Sequence, residues 1–162
     1  MREDLRELWD SIESRKWRIL ETVARLPEDA LTRKMPRSDW TPLQLVEHLV
    51  VAEEQQLREI EAAEKSEGGR HKAMVFRSAV WVLRKGIRVP PSATMRPSAS
   101  PASLPELGTR WEKARERLRQ ALEEAKDLRP LSVHAQFGTM TADQVLTLTD
   151  AHLQYHQRQI GA

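Results

Sequence analysis

Apolar residues recur at α-helical spacing through five stretches of this chain, and that periodicity restricts it to an all-α fold. Leu5, Leu8, Trp9, Ile12, Ile19, Leu20, Val23 and Leu26 mark a first amphipathic helix from about Glu3 to Leu26, ended by Pro27. A connection follows to Asp39. The second helix opens at Thr41, with Pro42 at its first position and Gln44 at its third. That is a capping box with a favoured proline, flanked by Trp40 and Leu45 as a hydrophobic staple. It runs to about Lys65, and Glu67-Gly68-Gly69 breaks the chain. A third helix spans about His71 to Lys85, ended by Gly86. A fourth starts at Ser103, with Glu106 completing another capping box, and carries Leu107, Trp111, Ala114, Leu118, Ala121, Leu122 and Ala125. Asp127 to Gly138 reads as a connection, and the last helix begins at Thr141 with Gln144 three residues on.

The segment from Val89 to Pro105 holds five prolines and four serines. Neither flank is large enough to fold alone, so residues 1–162 read as a single domain and this segment as a long loop within it. Loops of this kind often cover sites, and equally often are simply disordered. No apolar run is long enough to span a bilayer, and Met1-Arg2-Glu3-Asp4 has no signal-peptide layout, so the expected setting is the cytoplasm without a membrane partner. The absence of cysteine rules out disulfides, cysteine-metal sites and a thiol nucleophile. A net charge of +2 argues against nucleic acid. No acidic residue lies between Glu67 and Glu106, however, where Arg70, Lys72, Arg77, Arg84, Lys85, Arg88 and Arg96 fall. This basic region reads as a solvated helix face, as a funnel for an anionic small molecule or, third because no aromatic residues interleave and no binding motif is present, as a nucleic-acid surface.

His152 and His156 stand four residues apart on the last helix, on the stripe that continues Val145, Leu148 and Thr149 toward the core. Two inward imidazoles are either a satisfied core pair or metal ligands. His48 lies seven residues past the Thr41 cap, on the face shared by Leu45, Leu49 and Ala52, and offers a third ligand from another helix. Three neutral imidazoles suit zinc, nickel, iron or copper and leave a coordination position open. Other residues carry weaker signals. His134 is an ordinary loop histidine, or a fourth ligand or acid/base near such a metal. His71 reads as a surface residue. The five tryptophans read mostly as core or staple residues, with Trp81 able to line a pocket. Glu47 and Glu53 project to other faces than His48.

Trp40-Thr-Pro-Leu-Gln-Leu-Val-Glu-His48-Leu, Phe137-Gly-Thr-Met-Thr141 and His152-Leu-Gln-Tyr-His156-Gln-Arg-Gln-Ile160, taken in order, resemble the DinB-like superfamily, which includes bacillithiol transferases and related thiol-dependent enzymes. The resemblance implies a four-helix bundle with a short additional helix, usually homodimeric. It also implies a divalent cation on a histidine triad matching His48, His152 and His156, with zinc or nickel first and iron or manganese as alternatives. The activity implied is transfer of a low-molecular-weight thiol to an electrophilic small molecule. A metal-dependent hydrolase and a non-catalytic, stress-related metal- or small-molecule-binding bundle are the competing readings.

Overall fold

A computed structural model describes residues 1–63, 70–88, 90, 93–125 and 129–161. The expected helix end at Lys65, the break at Glu67-Gly68-Gly69 and the start of the connection at Asp127 lie outside these residues. So do Val89, Pro91 and Ser92 of the proline-rich segment. The elements are α1 (Glu3–Ala24), α2 (Glu28–Leu31), α3 (Pro42–Ala63), α4 (Ala73–Lys85), α5 (Leu104–Glu124), β1 (Ser132–His134), β2 (Gly138–Met140) and α6 (Ala142–Ile160). The fold is all-α. The long helices α1, α3, α5 and α6 make the bundle, and α4 is the short additional helix.

α1 packs along α6, α3 along α5, and α4 across α6. The core is the apolar stripe of each long helix: Leu5, Ile12 and Ile19 from α1, Leu45 and Leu49 from α3, Trp111 and Leu118 from α5, and Val145, Leu146 and Leu153 from α6. Each such side chain contributes about 1.5–3 kcal/mol on leaving water.

Three features depart from the sequence reading. One helical turn, α2, interrupts the connection after Pro27. The stretch before α6 folds into an antiparallel hairpin, with Ser132 opposite Met140 and His134 opposite Gly138. Three residues per strand are too few to show an alternating pattern, which is why the sequence reads as plain connection. Lys16 and Arg115 are fully buried although they are charged. Lys16 Nζ donates to Glu13 at 2.9 Å and Glu112 at 2.7 Å, and Arg115 makes a forked pair with Glu53, both bonds 2.7 Å. These pairs tie α5 to α1 and α3, and they also show where Glu53 points: to Arg115.

Most of the tryptophans are core or staple residues, as expected: Trp9 and Trp40 pack partly buried against the core. Trp111 is core, but Trp17 and Trp81 are 59% and 56% exposed. Trp17 lies off the apolar stripe counted for α1, and Trp81 lines a shallow groove.

Candidate metal centre

The two histidine-bearing helices start on the same device. Thr41 N–H donates to Gln44 Oε1 at 3.1 Å and Gln44 N–H to Thr41 Oγ1 at 3.2 Å, and Thr141 N–H donates to Gln144 Oε1 at 3.0 Å. Glutamine at this position leaves its NH₂ group free, where glutamate would not. Gln44 spends it on the Ser98 carbonyl at 3.0 Å, and Gln144 on His71 Nε2 at 3.2 Å. Each cap therefore fixes a helix and holds a distant segment against it.

His71 is accordingly not a free surface residue. Its Nδ1–H donates to the Thr139 carbonyl at 2.7 Å, and Lys72 N–H donates to Phe137 O at 2.8 Å. The hairpin is thereby fastened to the entry of α4. Gly138 permits this approach: its φ is +71°, and a Cβ there would stand 2.1 Å from the Arg70 carbonyl oxygen.

From this frame His48, His152 and His156 converge. His152 Nε2 lies 3.1 Å from His48 Nε2 and 3.1 Å from His156 Nε2. Nitrogens bound about 2.0–2.1 Å from one tetrahedral ion stand about 3.3 Å apart, so the spacing matches a shared ion. His48 and His156 are buried. Trp40, the staple residue of α3, covers them, its ring centroid 4.6 Å from that of His48 and 6.1 Å from that of His156.

The outer nitrogens decide what the inner ones can do. His48 Nδ1–H donates to the Met95 carbonyl at 2.5 Å, and His156 Nδ1–H to Gln159 Oε1 at 2.8 Å. With those protons committed, both Nε2 atoms present lone pairs. His152 Nε2 can donate to one of them and not to the other, so the protein alone leaves an acceptor facing an acceptor. A cation among the three satisfies every lone pair, and in that sense the donor set fits a metal. Burial keeps the rings neutral, as ligation requires. It holds His48 below the usual histidine range, despite the Met95 carbonyl. It drives His152 well below that range, with repulsion from His156 and His48 adding to the effect. His156 is pushed down to about 3 by burial, with repulsion from His48 adding and Gln159 opposing.

The three imidazoles stand on the floor of a cleft of about 1380 Å³. Apolar walls come from Val75, Ala79, Val82 and Leu148, and Arg37 and Arg96 stand at the rim. Of the basic region, Arg88 and Arg96 reach this cleft, and Arg88 pairs with Asp39. Arg77, Arg84 and Lys85 face a shallower groove with Trp81 on the other side of α4. His134 lines the cleft but stays outside the histidine group. Its ring stacks on Phe137 with centroids 4.3 Å apart, its Nδ1 accepts from Gln136 N–H, and burial lowers its pKa. The proline-rich segment covers one side of the site through a 3₁₀ turn at Ala93–Met95 and the residues after it.

A family description, DinB superfamily, matches residues 2–160. The chain belongs to the DinB superfamily. Comparison with curated proteins and with solved structures found no match. The DinB assignment agrees with the all-α bundle and with a histidine group that could hold a metal ion. Among the described residues no helix is long and apolar enough to cross a membrane.

Two partners of the triad escaped sequence reading. Gln159, three residues past His156 on the same helix, was within reach of a face-by-face count. The Met95 carbonyl was not, because it arrives from a distant loop as backbone and carries no residue-type signal.

Proposed function

We propose that this DinB superfamily protein is a divalent-metal-dependent enzyme that transfers a low-molecular-weight thiol to an electrophilic small molecule. In that reaction the thiol sulfur bonds to the electrophilic carbon, the leaving group departs with its electron pair, and the thiol proton is released. The observation that carries the reading is the convergence of His48, His152 and His156 Nε2 at the floor of an open cleft. A divalent cation bound there, zinc or nickel first by the family resemblance, would favour the thiolate near neutral pH. His48 and His156 hold their Nε2 lone pairs toward that point because Met95 and Gln159 take their Nδ1 protons. Arg37 and Arg96 at the rim suit the carboxylates of an anionic thiol. Val75, Ala79, Val82 and Leu148 suit an apolar electrophile and keep water from it. The cytoplasm, the setting expected from the sequence, keeps small thiols reduced. The resemblance further implies a homodimer, and the exposed Met74, Trp81 and Ile87 are available to such an interface. Light scattering on the purified chain tests that part.

The test of the activity uses protein purified without a histidine tag, loaded with zinc or nickel, and a panel of thiols with monochlorobimane. Metal-dependent loss of free thiol with formation of the bimane adduct supports the transferase. Stoichiometric metal with ester cleavage and no thiol consumption moves the assignment to a hydrolase. Stoichiometric metal with neither activity leaves a binding protein, and below about 0.2 equivalents of metal per chain the reading fails at its base.

A further inference from the structure

The segment 93–98 is held to α3 by three side chains at positions 44, 47 and 48, which span an arc of about 100° on that helix; Glu47, expected on another face than His48, reaches the same segment. Gln44 Nε2 donates to the Ser98 carbonyl at 3.0 Å, and His48 Nδ1 to the Met95 carbonyl at 2.5 Å. Between them, Glu47 Oε2 accepts from Ser98 N–H at 2.6 Å. Glu47 is buried, 7% exposed. The Arg110 guanidinium interacts with it by charge, and a carboxylate taken out of water and bonded to a backbone N–H is costly to lose from the fold or the site. The strap it secures has only short irregular structure of its own, and Met95, Arg96, Pro97 and Ser98 all line the cleft.

We propose that Glu47 is a positioning residue for the metal centre: by holding Ser98 it keeps the Met95 carbonyl on His48 Nδ1, and so keeps the His48 Nε2 lone pair aimed at the cation. The inference rests on the metal reading above. Groups that orient a ligand's second nitrogen typically change metal affinity by about 10- to 100-fold when removed. Linkage makes the effect reciprocal: a cation that fixes His48 also fixes the strap, so metal closes this wall of the cleft.

The experiment measures zinc affinity of the tag-free full chain by competition with a chromophoric chelator, and amide hydrogen exchange over residues 93–98 with and without zinc. In wild type, zinc slows exchange of that segment. Glu47→Ala weakens zinc binding by about 10- to 100-fold and speeds exchange at 93–98 in both states. Glu47→Gln keeps an acceptor oxygen for Ser98 N–H and binds zinc within about threefold of wild type. Should Glu47→Ala not fold, Ser98→Pro removes the donor without touching α3 and is read in the same way. Wild-type affinity in Glu47→Ala or Ser98→Pro overturns the proposal, as does a Glu47→Gln protein as impaired as Glu47→Ala. A wild-type chain that binds no zinc overturns the metal reading first and this inference with it, and the wild-type control separates the two failures.

Discussion

His48 Nδ1 lies 2.5 Å from the carbonyl oxygen of Met95, a partner 47 residues away in the chain. This bond assigns the His48 proton to Nδ1 and leaves Nε2 to face His152 and His156. A side chain on a regular helix is thus given its chemical role by the backbone of an irregular loop.

His152 is the shared neighbour of the other two imidazoles, so its loss removes the centre of the triad. His152→Ala is expected to reduce bound zinc from about one equivalent to below about 0.2 per chain, with the helical circular-dichroism spectrum unchanged. Elemental analysis beside the spectrum checks it. Loss of the helical signal would show that the histidine serves the fold instead.

Stability of the metal-free protein should fall as pH drops below 6.5. The folded-state pKa of His156 is about 3 against an ordinary 6.5, and that of His152 is also well below it. Between those limits the unfolded chain binds more protons than the folded one, so acid favours unfolding, while above 6.5 the two states bind alike and the effect vanishes. Thermal melts in chelator at pH 7.5 and 5.0 should show the lower Tm at pH 5.0. His156→Gln should reduce that difference, with His152 and His48 supplying the remainder.

Glu53→Gln should destabilise the bundle by about 3 kcal/mol, at the low end of the usual cost of breaking a buried pair. Arg115 would lose its forked carboxylate but keep Glu13, 3.3 Å from its Nη1. The double variant Glu53→Leu with Arg115→Met should recover much of the loss, because no charge is then buried alone. Urea midpoints of the three proteins decide the matter.

Gly138→Ala places a side chain where φ is +71° and where a Cβ meets the Arg70 carbonyl at 2.1 Å. The conformation alone costs about 1–3 kcal/mol, so with the close contact a total near 3 kcal/mol and a Tm lower by roughly 6–12 °C are expected. Hydrogen exchange should rise in the hairpin and at the start of α4, while α1 and α5 keep their protection.

The five longer helices, the capping boxes at Thr41, Ser103 and Thr141 and the three histidines were legible in the residues, because helical periodicity and capping are local: each needs only neighbours a few positions away. Thr41 with Gln44 and Thr141 with Gln144 mark their helix starts without help from the rest of the chain. The inward phase of His48, His152 and His156 follows from the same counting. Only the folded chain decided that His48 and His152, 104 residues apart, come within 3.1 Å. It alone buried Lys16 and Arg115, bound His71 to the hairpin and brought Met95 over His48. All of these depend on contacts between segments distant in sequence. Such contacts follow from how whole helices pack, which no local window of residues contains.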